Sequence, residues 1–121
     1  MPKKSGMNRK QKGEQGEAMA AAHLQAQGYE ILRRNYKPKG TEIDIIAQQS
    51  GTLVFVEVKS RETNEFGYPE EAVNTAKQER IKRAAEYFIT EQDWHGEIRF
   101  DIIAITWSEP PELVHFQDAF Y

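Results

Sequence analysis

Two short runs rich in β-branched and aromatic residues carry charges in their middles. They are Gly40-Thr41-Glu42-Ile43-Asp44-Ile45-Ile46-Ala47 and Val54-Phe55-Val56-Glu57-Val58-Lys59. Both read as β-strands, and a charge inside a strand is expensive unless it is paired or bound. The strand period of two puts Glu42, Asp44 and Ile46 on one face of the first run, and Ile43, Ile45 and Ala47 on the other. In the second run, Leu53, Phe55, Glu57 and Lys59 share one face, and Val54, Val56 and Val58 the other. The polar link Gln48–Thr52 reads as a tight hairpin. With Ser50 and Gly51 as its loop, Asp44 falls opposite Glu57 and Glu42 opposite Lys59.

Opposed residues in such a pair have Cβ atoms about 4.5–5.5 Å apart, where like charges destabilise. Asp44 against Glu57 is therefore a cost in the bare protein. A bound Mg²⁺ or Mn²⁺ would turn that cost into a site, because hard cations prefer carboxylate oxygens. The two acids and Lys59 together point to a divalent metal site beside a phosphate. The plainer alternative is a solvated face of an antiparallel sheet, which also alternates charge. Leu53, Phe55 and Ile46 share the charged face, and the opposite face is uniformly apolar. Both features favour a sheet covered on both sides.

A chain of 121 residues makes one domain with a real core. We expect residues 1–12 to form a flexible basic arm and residues 13–121 a single domain. With no cysteine and three scattered histidines, disulfides, thiolate zinc sites and nucleophilic triads lack a basis. The basic N-terminus has no apolar h-region and no run is long enough to span a bilayer, so a cytoplasmic protein is expected. The net charge of −3 does not advertise nucleic-acid binding, but its distribution is uneven. Lys3, Lys4, Arg9, Lys10 and Lys12 precede the first acid. Arg33, Arg34, Lys37 and Lys39 form a second basic group, and Lys77, Arg80, Lys82 and Arg83 a third. The last third of the chain is acidic. This asymmetry is compatible with a phosphate-binding side, and equally with a solvated tail and ordinary helix surfaces.

Dense alanine predicts a first helix over Gly13–Gln27, stopped by Gly28, with Ala18, Ala21, Ala22 and Leu24 buried. Glu17 lies on or beside that stripe, so the helix can bring it toward the hairpin acids. Tyr29–Asn35 reads as a strand, followed by the hairpin. A helical stretch is expected from Pro69 to about Thr90, with a break near Asn74 and with Glu70 and Glu71 at its positive end. Glu97–Trp107 reads as a further strand reached by a parallel crossover, and Leu113–Phe116 as an edge strand. The order α-β-β-β-α-β, with an extra edge strand, implies an α/β mixed sheet with a helix on each face.

Asp44 followed by Glu57-Val58-Lys59 resembles the Asp…Glu-x-Lys motif of the restriction-endonuclease-like superfamily. Further matches are Gly16-Glu17, Tyr29 through Asn35, the Gly-x-Glu-Ile-Asp run, Val54 through Arg61, Phe66-Gly67, Lys77 and Arg99-Phe100-Asp101. Together they resemble the YraN-like family of bacterial proteins, itself similar to archaeal Holliday-junction resolvases. The likeness covers about residues 13–107 and departs at Thr41, ahead of the acids. It implies a restriction-endonuclease-like sheet and a Mg²⁺- or Mn²⁺-dependent endonuclease acting on branched DNA, as a homodimer, in repair or recombination. Asp44 and Glu57 would hold the metal, Glu17 would be a further ligand, and Lys59 would stand beside the attacking water or the phosphate. Arg33, Arg34, Lys37, Lys39 and Arg61 would contact the DNA backbone. The competing expectation is a non-catalytic module that binds branched nucleic acid on a retained nuclease fold. Glu42 is assigned to pairing with Lys59 or to exposure, Asp101 to an ion pair with a basic neighbour, and Gln78 to orienting a water.

Overall fold

The computed structural model describes residues 6–63 and 73–120. Helix α1 spans Arg9–Ala26. It begins four residues earlier than its alanine content predicts, because Asn8 caps it. The Asn8 side chain accepts from Gln11 N at 2.8 Å, and the Gln11 side chain accepts from Asn8 N at 2.9 Å. This reciprocal box satisfies two orphan donors of the first turn. Residues 9–12 of the expected arm are therefore helical, while residues 1–5 lie outside the described segments. Gly28 ends the helix as expected. At φ 95° it is left-handed, and Tyr29 N and Gly28 N close onto Leu24 O and Gln25 O.

Strand β1 (Glu30–Tyr36) is followed by a 3-10 turn (Pro38–Gly40), β2 (Ile43–Gln49) and β3 (Thr52–Glu62). Helix α2 (Thr75–Gln92) leads to β4 (Glu97–Trp107) and β5 (Glu112–Phe120). The break expected near Asn74 is there: Asn74 is extended and caps α2, accepting from Lys77 N. Pro69, Glu70 and Glu71 lie outside the described residues. The five strands form one mixed sheet in chain order, antiparallel except for the β3–β4 pair that the α2 crossover makes parallel. No helix among the described residues is long and apolar enough to cross a membrane.

Alternation along β3 sorts the core into two halves. Leu53 and Phe55 join Phe100, Ile102 and the Ile81, Ala84, Ala85 and Phe88 stripe of α2. Val54 and Val56 join Ile103, Ile105 and the Ala20, Ala21 and Leu24 stripe of α1. A helix thus covers each face. The α1 stripe is rotated from the expected one, for Ala18 and Ala22 are exposed while Gly16 and Ala20 are buried. Gly16 faces Ile105 and Ser60, each 3.5 Å from where a Cβ would sit.

Both outer strands are irregular. The β1–β2 register shifts between Ile31 and Arg33, and the β4–β5 register shifts between Phe100 and Ile102. Asn35 and Asp118 on these strands take φ 54° and 55°. The carboxylate of Asp101 fills the gap in the second ladder. It is fully buried and accepts from Asp118 N at 3.0 Å, from Arg99 Nε and Nη2 at 2.9 Å each, and bonds His115 Nε2 at 2.7 Å. The expected ion pair with a basic neighbour is the Arg99 bond. Burial pulls the Asp101 carboxyl upward, but His115, Arg99 and the Asp118 N–H outweigh it and hold its pKa below 3.8. The network continues outward, with His115 Nδ1 3.2 Å from His23 Nε2 and Arg99 Nη2 donating to Tyr29 Oη at 2.6 Å.

Candidate active site

The hairpin register agrees with the sequence reading: Gln49 pairs with Thr52 and Ile45 with Val56. Continued by one residue, it sets Asp44 beside Glu57. The ladder stops there. Asp44 Oδ2 accepts from Val58 N at 2.8 Å, taking the place that a β2 backbone carbonyl would fill. β3 runs on beside β4 to Glu62, so β2 and β3 part in a fork with Asp44 at its base. This also explains a departure from the expected faces. Ile43, beyond the fork, packs with the α2 cluster, while Ile45 and Ala47 pack with the α1 cluster.

A cleft of about 430 Å³ opens at the fork, lined by Asp44, Glu57, Glu42, Gly40, Thr41, Lys37, Lys77 and Arg80. Thr41 fastens its rim, since its hydroxyl and its N–H both donate to Pro38 O, at 2.6 and 3.0 Å. Glu57 is 6% exposed and its Oε2 lies 2.6 Å from Lys77 Nζ. Glu17, on α1, is not among the residues lining the cleft; its Oε1 lies 3.9 Å from Arg34 Nη2. Burial raises its pKa; Asn35 and Arg34 counteract, and Glu42 and Glu57 add to the rise.

Asp44 feels this crowd most. Burial first, then the charge of Glu57, push its pKa up to about 8; the Val58 N–H opposes, and Glu17 and Glu42 add to the rise. The folded value lies above the ordinary 3.8 of an unfolded chain. The folded state therefore binds the extra proton, and this contribution to stability is full below 3.8 and lost as pH rises through about 8. Melting temperatures of the metal-free protein should fall as pH climbs to about 8, and the fall should disappear in Asp44→Asn. A parallel decline in both proteins would sink this assignment.

The donor set fits a hard divalent cation: it offers carboxylate oxygens held where their charges repel. Among the described residues, no three histidine, aspartate or glutamate groups form a ready-made cage. Mg²⁺ does not need one, because it is commonly held by one or two carboxylates and keeps several waters.

Lys59 is half-buried on β3, outside the cleft lining, and forms no ion pair among the described residues. Of the two expectations for Glu42, pairing with Lys59 is not formed and exposure holds. Glu57 is met instead by Lys77, which the sequence reading left in a basic cluster. The signal was Asn74: once it is the cap, Lys77 is in the first turn. Gln78 Nε2 donates to Val73 O at 2.9 Å. Arg33 lies over the Tyr36 and Phe88 rings, 3.6 Å from Glu91, and so serves the α2 side. Lys37 lines the cleft and Lys39 is exposed on the adjoining turn. Arg61 borders a separate hollow with Arg9, Lys12 and Trp107.

A family model, that of the Uncharacterised protein family UPF0102, matches residues 16–105 and so spans Glu17, Asp44, Glu57, Lys59 and Lys77. A "UPF0102 protein" of Caldicellulosiruptor saccharolyticus is 46% identical over 100 residues, covering 82% of this chain and 85% of the relative. One of Chlorobium chlorochromatii is 44% identical over 116 residues, covering 90% of each. One of Geobacter metallireducens is 40% identical over 116 residues, covering 94% of this chain and 95% of the relative.

Proposed function

We propose, for a chain that belongs to the Uncharacterised protein family UPF0102, that the fork is the catalytic centre of a Mg²⁺- or Mn²⁺-dependent DNA endonuclease. Membership bears out the YraN-like resemblance; the restriction-endonuclease-like arrangement and the kinship to archaeal Holliday-junction resolvases are part of the proposal. The carrying observation is the meeting of Asp44 and Glu57 where the ladder ends, with Asp44 pinned by Val58 N–H. Nothing in folding asks for two acids there.

Asp44 and Glu57 would hold the cation through carboxylate oxygens, with Glu17 as a further ligand, direct or through water. Bound there, the cation supplies Lewis acidity toward a phosphate oxygen and a water. The Val58 N–H keeps Asp44 oriented for that role. Lys59 would add a positive charge on the strand that carries Glu57, favouring negative charge that grows on the phosphate oxygens. Lys37 and Arg80 on the cleft walls, with Arg34 and Lys39 nearby in the chain, would bind backbone phosphates without reading sequence. Branched DNA is the proposed substrate, cut in the cytoplasm during repair or recombination by a homodimer whose two sites would address two strands.

A second reading, a non-catalytic module that binds branched nucleic acid, is favoured by one observation: Lys77 already neutralises Glu57. The two separate in one assay. Labelled junctions, flaps, single strands and duplex are incubated with Mg²⁺ or Mn²⁺ and wild type, Glu57→Ala or Lys59→Ala. Metal-dependent products lost in both variants are expected. Salt-sensitive binding without products in any protein would establish the module instead.

A further inference from the structure

We propose that Lys77 is the resident counter-ion of Glu57, that it yields this carboxylate to an incoming divalent cation, and that the released ammonium then binds a phosphate oxygen of the nucleic acid. This rests on the metal-site reading above and adds to Lys59 of strand β3 a second lysine, from helix α2.

The pair is lopsided. Glu57 is 6% exposed and anchored in the middle of β3, whereas the Lys77 side chain is 37% exposed and reaches across the cleft from the first turn of α2. A buried carboxylate needs a counter-charge. Of the two partners, the long, flexible lysine stem is the one able to move. A divalent cation arriving at the same oxygen brings twice the charge, and like charges cannot share a 2.6 Å contact with Oε2. The ammonium must leave, and its tether keeps it in the cleft. There, Arg80 one turn along α2 and Lys37 across the opening make a cationic rim, where a phosphate is the natural next partner. Lys59 forms no ion pair among the described residues and does not line the cleft. One cation replaces another, Lys77 stays protonated throughout, and no covalent bond is made or broken.

The test compares wild type with Lys77→Met, Lys77→Arg and Arg80→Met. Arg80 lines the same cleft without pairing with Glu57, so its variant reports what loss of any nearby positive charge does. Free Mn²⁺ is followed by electron paramagnetic resonance without nucleic acid, with thermal unfolding as the check on folding. Lys77→Met should bind Mn²⁺ about fivefold tighter, the size expected for a partly exposed pair, with Arg80→Met shifting by no more than about twofold. Lys77→Arg should stay near wild type.

The second readout is the salt dependence of binding to a junction in Ca²⁺. The slope should fall by about one unit in Lys77→Met relative to wild type, and by nothing without a divalent cation. An unchanged Mn²⁺ affinity in Lys77→Met, an equal rise in Arg80→Met, or an unchanged slope in Ca²⁺ would overturn the proposal. Tighter Mn²⁺ and the altered slope, with no DNA cut by wild type at saturating Mn²⁺, would uphold it and sink the nuclease reading. Cleavage by wild type with unchanged Mn²⁺ affinity in Lys77→Met would do the reverse. A wild type that binds no Mn²⁺ would sink both.

Discussion

Asp44→Asn should yield a protein that melts higher than wild type at alkaline pH, binds Mn²⁺ poorly and cuts no DNA. Asparagine matches the protonated acid in shape and can still accept from Val58 N, so the end of the ladder is kept. It removes the charge that burial and Glu57 resist. Relief of one opposed like-charge pair contributes up to about 1 kcal/mol, a few degrees in melting temperature for a domain of this size. The functional loss is much larger. Losing several kcal/mol of Lewis-acid assistance corresponds to a rate drop of about 10³-fold or more. Calorimetric Mn²⁺ titration, scanning calorimetry at about pH 8.5 and cleavage of a labelled junction read the three effects. A variant that melts lower and still binds Mn²⁺ would remove Asp44 from the site.

The opposite sign is expected at the other buried acid. Asp101→Ala strands Arg99 and His115, leaves Asp118 N without its acceptor, and should cost about 3–5 kcal/mol. Asp101→Asn keeps an acceptor for Asp118 N and should cost less. The folded pKa of the Asp101 carboxyl is lowered, so its contribution is present above 3.8 and lost as pH falls through the depressed value. Urea unfolding at neutral pH measures the loss, and the same series near pH 3 should shrink the gap between wild type and Asp101→Ala. A cost under about 1 kcal/mol would mean that the network is ornamental to stability. Mn²⁺ binding by the folded fraction should not change, because Asp101 packs on the α1 face while Glu57 belongs to the α2 side.

Local chemistry was legible wherever a short stretch decided the outcome. Ser50 and Gly51 specified the hairpin, and with it the approach of Asp44 to Glu57. Gly28 marked the end of α1, and the run Glu97–Trp107 is β4 to the residue. Three things were hidden because they depend on contacts distant in sequence. The fork flips Ile43 to the other cluster, since alternation holds only while the ladder lasts. Glu57 chose a lysine 20 residues away over one two residues away, because α2 starts at its Asn74 cap and aims Lys77 into the cleft. β5 runs on to Phe120 because Asp101 supplies from β4 the bond that its bulge breaks.

The irregular outer strands bear on how two copies could meet. A straight, unpaired strand edge is a template on which another chain can extend the sheet. Here β1 and β5 each carry a register shift and a residue with positive φ. Each break twists the strand and puts its outward N–H and C=O groups out of step. A continuous sheet running through two molecules is thereby discouraged at both ends. The same kinks that end the sheet guard it against runaway strand addition. Pairing of two copies edge to edge would first have to straighten these kinks.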